Sequence, residues 1–404
     1  VVVLLLGAAA TDPKPAVRGD LASELGERIF FDTSLSRPPG QSCAACHAPE
    51  TGFTGPAEEL NRAGGVYPGA VSTRFGNRKP PSAAYADAPV LGTRVEDGET
   101  VFYGGSFWDG RATGERLGSP LAEQALGPFL NPVEQNLPDA AAVVGGVCRG
   151  PYSSLLRQLA RNQKDPNDPC APSNVSAAFD LIGRSLAAYE TSLRAQPFSS
   201  RYDRYLEGQG ALTAVEKRGL ALYAGKGKCA DCHPHERGPK GEPPLFTDFT
   251  YDNIGLPPNP DNPFYRTDPK SNPQGAAWKD PGLGGFLQTD PRYARHAAEN
   301  LGKFKVPTLR NVARRPRPGF VKAYGHNAFF KSLEELVHFY NTRDVLPVCA
   351  AIPDPAPGKN CWPAPEETRN LNRDETGNLG LTAGEEAAIV AFLKSLDDEG
   401  PPSH

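Results

Sequence analysis

Cys43-Ala44-Ala45-Cys46-His47 and Cys229-Ala230-Asp231-Cys232-His233 are one five-residue pattern written twice in a chain of 404 residues. Each follows an amphipathic, helix-like run: Leu25-Gly26-Glu27-Arg28-Ile29-Phe30-Phe31 before the first and Lys217-Arg218-Gly219-Leu220-Ala221-Leu222-Tyr223 before the second. Cys-x-x-Cys-His is the attachment pattern of c-type haem. Two thiols at that spacing reach the vinyl groups on one porphyrin edge, while the adjacent imidazole reaches the iron. Zinc is the alternative occupant of such residues, but two copies, each behind a helix, favour haem. The pattern predicts two covalent haem c groups, attached through Cys43, Cys46, Cys229 and Cys232, with His47 and His233 as iron ligands.

Working outward, the expected fold is mainly α, with two cytochrome c-like haem domains and long irregular loops. An N-terminal arm covers residues 1–19, the first domain 20–195 and the second 196–404. Gly and Pro number 42 each, so Pro is about twice its usual ~5% share, and residues 234–311 read as extended loop. Strand signals are weak throughout. A helical stripe over Ser173 to Ala195 (Ala178, Leu181, Ile182, Leu186, Tyr189) joins the halves. Thr213 with Glu216, Ser332 with Glu335 and Thr382 with Glu385 fit the capping box, in which the side chains satisfy free backbone N–H groups at a helix start.

Hydrophobic residues make up 39%, charged residues 22%, and the net charge is −4, which excludes a disordered acidic chain and gives no electrostatic case for nucleic acid. The run Val1 to Ala10, VVVLLLGAAA, is shorter than the ~20 residues needed to span a bilayer. It reads as the tail of a secretory leader, so an exported, periplasmic bacterial protein without a transmembrane helix is expected. In an oxidising compartment the other four cysteines predict two disulfides. Proximity favours Cys148–Cys170 and Cys349–Cys361 over free buried thiols, each worth ~3 kcal/mol.

Over residues 20 to 396 the chain resembles the bacterial dihaem cytochrome c peroxidase and MauG superfamily. The likeness rests on Ile29-Phe30-Phe31-Asp32, Phe107-Trp108-Asp109-Gly110-Arg111, Glu123-Gln124 to Glu134, Phe304-Lys305-Val306-Pro307-Thr308-Leu309-Arg310-Asn311-Val312, and Ser332-Leu333-Glu334-Glu335. It implies two helical haem domains, hydrogen peroxide as oxidant and a calcium ion between the domains.

Axial ligands decide what each iron does, since an open position admits peroxide and a closed one transfers electrons. No His and no Met lies between His47 and His233, so the first haem is expected to be open without a ligand having to leave, unless a distant His or Lys intrudes. The resemblance places Gln124, Pro128 and Glu134 over its distal face, with Glu134 as acid–base group, and Trp108 between the haems as relay. The insertion Ala112 to Pro120 departs from shorter members. For the second haem the resemblance implies Tyr340 as ligand, where peroxidases place Met and MauG-type enzymes Tyr. Leu333, Leu336, Val337 and Tyr340 fall at i, i+3, i+4 and i+7, which also suits a core tyrosine; His326 and His296 compete. For calcium the resemblance implies Asn77 and the carbonyls of Val321 and Ala323. The expected function is a MauG-like dihaem peroxidase that oxidises a small cytochrome, a cupredoxin or a protein substrate. A dihaem electron carrier and a conventional cytochrome c peroxidase are the alternatives.

Overall fold

The computed structural model describes residues 20–163 and 167–400, so the expectations for the leader and for the arm lie outside the described residues. Among the described residues twelve α-helices are joined by long loops. The first half carries α1 (Leu21–Phe30), α2 (Glu58–Arg62), α3 (Pro120–Leu130), α4 (Ala140–Arg149), α5 (Ser153–Asn162) and α6 (Val175–Glu190). The second carries α7 (Arg201–Leu206), α8 (Ala214–Ala224), α9 (Cys229–Cys232), α10 (Gly282–Thr289), α11 (Leu333–Thr342) and α12 (Ala383–Lys394). One apolar core gathers residues from Leu25 to Ala195, around Phe30, Ile182 and Leu186. A second gathers Tyr202 to Leu396, around Tyr223, Phe246 and Phe392.

The two halves repeat one helix crossing. α1 lies on α6, and a Cβ on Gly26 would fall 1.9 Å from the Ser185 carbonyl oxygen. α8 lies on α12, and a Cβ on Gly219 would fall 1.9 Å from the Ala388 carbonyl oxygen. In each pair the glycine lets two backbones approach where no side chain fits, which explains why the two sequence runs resemble each other.

The helix expected over 173–195 is shorter, because Pro172–Asn174 makes a 3-10 turn first and the α-helix ends at Glu190. The capping boxes at Thr213 and Thr382 are complete. At Ser332 only half forms, since the Glu335 carboxylate accepts from the Lys331 N–H instead. Both expected disulfides, Cys148–Cys170 and Cys349–Cys361, are present.

Strands are few among the described residues, in keeping with the weak strand signals. β1 (Gly92–Glu96) and β2 (Glu99–Tyr103) form an antiparallel hairpin around Asp97-Gly98, both at positive φ (49° and 86°), the geometry that Asp-Gly turns favour. A short second pair joins β3 (Tyr251–Asp252) to β4 (Phe304–Lys305). The hairpin belongs to the first half by sequence, yet its Phe102 packs with Tyr251, Leu283 and Leu287 of the second. That cluster supplies apolar contact across the halves. Among the described residues no helix is long and apolar enough to cross a membrane.

Candidate active site

Each motif opens on its own cavity. The first, of about 190 Å3, is lined by Cys43, Cys46 and His47; the second, of about 220 Å3, by Cys229, Cys232 and His233. His47 Nδ1 lies 3.1 Å from the Phe53 carbonyl and His233 Nδ1 lies 2.7 Å from the Phe246 carbonyl. Both phenylalanines turn at positive φ, 58° and 55°, so the two halves aim their carbonyls alike. With Nδ1 held by a carbonyl, Nε2 is the nitrogen left for a metal. Burial pushes both imidazoles down to about 4, which keeps them in the neutral, ligating form. The zinc alternative finds no support, because the two motifs do not meet. Among the described residues the one cluster with metal-ligand spacing is Cys232, Asp252 and Glu375, which has no His.

Gln124, Pro128, Glu134 and Trp108, singled out in the sequence, all line the first cavity with His47. Ser119 caps α3, which carries Gln124 and Pro128. Beyond the helix the chain folds back, with Gln135 N–H donating to the Pro128 carbonyl at 3.0 Å. The same turn fixes Glu134, whose own carbonyl accepts from Ala70 N–H at 2.7 Å. Burial pushes the Glu134 carboxyl above the usual range, opposed by the Arg111 charge. The insertion over 112–120 is held by Glu123, whose carboxylate accepts from the N–H groups of Gly114, Arg116 and Leu117 at 2.7–2.8 Å. Neither a second His nor a Met lines this cavity among the described residues.

In the second cavity the whole stripe Leu333, Leu336, Val337, Tyr340 of α11 is part of the lining. The Tyr340 hydroxyl makes no hydrogen bond to another described residue. Burial pushes its phenol upward, so a bound cation is what would ionise it. His338 turns away and bonds Glu386 at 3.0 Å. Of the competing ligands, His296 lies outside both cavities against Phe102, with Nε2 3.0 Å from Arg295 Nε. His326 does line the second cavity, but its ring is stacked on Phe304 at 3.4 Å and its Nε2 stands 3.9 Å from Glu366.

The family described as di-haem cytochrome c peroxidase matches residues 21–211. The methylamine utilization protein MauG of Paracoccus denitrificans is 34% identical over 400 residues, covering 98% of this chain and 93% of that one. The chain belongs to the di-haem cytochrome c peroxidase and MauG family. The cytochrome-c peroxidase IdrP2 of Denitromonas iodatirespirans is 27% identical over 391 residues, 93% of this chain and 81% of the relative. A tyrosine-to-methionine variant of the diheme peroxidase BthA from Burkholderia thailandensis superposes with a TM-score of 0.75 at 30% identity, over 97% of this chain and 90% of its own. Membership makes the chain a dihaem oxidoreductase of the peroxidase class. Its two cavities, each with paired thiols and the neutral imidazole of its own motif, fit the family's two c-type haems.

The wall between the cavities holds Trp108 together with residues that the sequence did not single out. Trp108 lines both cavities and donates through Nε1 to the Lys79 carbonyl at 2.8 Å. Beside it, Asp109 joins Arg111 to Arg78, and Arg78 reaches Asp280 of the second half through two bonds of 2.7 Å. The buried Glu190 ends α6 at the edge of the first cavity, and burial pushes its carboxyl well up. One signal was available, since Glu190 lies four residues after Leu186 and so on the same face of the helix.

Of the positions that the family implies for calcium, two main-chain carbonyls accept hydrogen bonds, while the Asn77 side chain and the Ala323 carbonyl make none to another described residue. The Asn77 carbonyl accepts from Asn262 Nδ2 at 2.9 Å and the Val321 carbonyl from Asn61 Nδ2 at 3.0 Å. Ala323 is buried. Between and beside them stand two buried amines, Lys79 and Lys322. Burial, then the Lys322 charge, pushes Lys79 down to about 7, and burial pushes Lys322 down as well.

Proposed function

We propose that the chain is an exported, periplasmic dihaem peroxidase that reduces hydrogen peroxide in the first cavity. It draws electrons through the second from a small cytochrome, a cupredoxin or a protein substrate. Its peroxidatic domain runs over residues 20–195 and its electron-transfer domain over 196–404. One asymmetry carries this reading: the first cavity offers His47 with no second His or Met, while the second offers His233 together with the unpartnered Tyr340 hydroxyl.

Bound haem would supply the iron that cleaves the peroxide O–O bond and stores oxidising equivalents. The remaining work falls to side chains. Cys43 and Cys46, like Cys229 and Cys232, tether the two groups, and His47 and His233 present Nε2 to the irons. One peroxide takes up two electrons and two protons and leaves as two waters. Glu134 accepts the proton of the bound peroxide oxygen and returns it to the departing one, a transfer suited to a carboxyl that burial has raised. Gln124 donates a hydrogen bond on the same face, and Pro128 keeps the helix end from crowding it. Trp108, shared by both cavities, passes electrons across the wall. Tyr340 would hold the second iron through its phenolate, a hard anionic donor that would lower the potential of that haem.

EPR of the fully oxidised protein tests this assignment. One high-spin and one low-spin ferric signal are expected. Two low-spin signals would make the chain an electron carrier.

A further inference from the structure

Trp108 can pass electrons between the cavities only while its indole keeps its distance from both, because electronic overlap falls steeply with separation. Three contacts fix its place. The indole N–H donates to the Lys79 carbonyl at 2.8 Å, and the Trp108 carbonyl accepts from the Lys305 N–H of the second half at 2.9 Å. The third runs through the next residue, Asp109, whose carboxylate accepts from Arg78 Nη1 at 2.6 Å. Arg78 directly precedes Lys79, so the pair Arg78-Lys79 grips the pair Trp108-Asp109 at two points.

The other edge of the same guanidinium reaches the second half. Nε and Nη2 of Arg78 donate to the two carboxylate oxygens of Asp280, each at 2.7 Å, a two-pronged pairing that fixes direction as well as distance. Its face lies over Phe304, 5.5 Å from the ring centre, next to the Lys305 whose N–H holds the Trp108 carbonyl. The Arg78 and Asp280 side chains are 10% and 2% exposed. Burial opposes ionisation of Asp109 and Asp280, but the Arg78 charge holds both carboxyls below the usual range, so all three groups stay charged. Asp280 lines neither cavity, so its link to the relay runs through Arg78.

We infer that Arg78 is a positioning residue for the relay: anchored on Asp280 of the second half, its guanidinium holds the Trp108-Asp109 segment, and with it the indole, in place between the two cavities. The inference rests on the reading of Trp108 as relay and is tested apart from it. Holoprotein reduced with dithionite is mixed in stopped flow with one equivalent of hydrogen peroxide, which takes one electron from each haem. The first haem reacts directly, and the second is then oxidised across the wall. Asp280→Asn should leave the first phase near wild type and slow the second by roughly tenfold or more, the scale on which small misplacements act. Arg78→Lys keeps the charge but not the fork and should slow the same phase. In a Trp108→Phe background Asp280→Asn should slow the second phase no further, because the ring it positions is already gone. A wild-type second phase in both single variants, equal slowing of both phases, or slowdowns that multiply in the double variant would overturn the inference. Where Asp280→Asn does not accumulate, Arg78→Lys in the two backgrounds decides. A wild-type second phase in Trp108→Phe alone would instead remove the relay reading, and the inference with it.

Discussion

Trp108 Nε1 donates to the carbonyl of Lys79 at 2.8 Å, and both residues line both cavities. One hydrogen bond thus fixes the orientation of the one indole that borders both haem cavities. Trp108→Phe removes the donor and the easily oxidised ring but keeps most of the volume. It should slow oxidation of the donor while leaving the first reaction with peroxide near wild type. Stopped-flow with peroxide alone, then with donor added, separates the two steps, and equal slowing of both would make Trp108 a structural residue only.

Glu134 should set the acid limb of the reaction with peroxide. As a base it must be ionised, and burial holds its carboxyl above the ordinary value, which for glutamate is about 4.3. The rate should therefore rise with pH through that raised value and level off above it. Glu134→Gln should be slower by roughly 10²-fold and lose that limb. A variant with the wild-type pH–rate profile would remove Glu134 from the mechanism.

Tyr340→Met replaces a hard anionic donor with a thioether, which raises the potential of a haem. A redox titration should show the second haem reduced at higher potential, and the shared oxidised state after peroxide should be lost, while the high-spin signal of the first cavity stays. If the titration matches wild type, the ligand is to be sought at His326, which lines the same cavity.

Gly26→Ala and Gly219→Ala test the repeated helix crossing. In each, the new Cβ meets a backbone carbonyl oxygen at 1.9 Å, which gives way only by moving a helix. Overpacking of this kind costs about 1–3 kcal/mol. Thermal melts should fall by several degrees for both, and an unchanged melt would mean that the helices slide without cost.

Spacing disclosed the haem motifs and periodicity the α11 stripe, whereas Gln124, Pro128, Glu134, Trp108 and the ligand role of Tyr340 came from the family resemblance. The paired Cys-x-x-Cys-His motifs reach two cavities, and the Leu333–Tyr340 stripe faces one of them because a helix brings every third or fourth residue to one side. The hairpin around Asp97-Gly98 was not singled out, since β1 is mostly exposed and neither short strand carries a clear alternating apolar pattern. The lysines were not legible. A lysine reads as surface unless its partners are known, and those of Lys79 and Lys322 are a hydroxyl and backbone carbonyls. Arg78 was hidden for the same reason, since its partner Asp280 lies in the other half of the chain.

The most direct test of the account is to add stoichiometric hydrogen peroxide to the fully ferric protein, with no reductant, while visible, near-infrared and EPR spectra are recorded. Prompt loss of the high-spin ferric signal, together with a new near-infrared band that decays when donor is added, is the predicted result. Ferric spectra that stay unchanged until the protein is first reduced would contradict it.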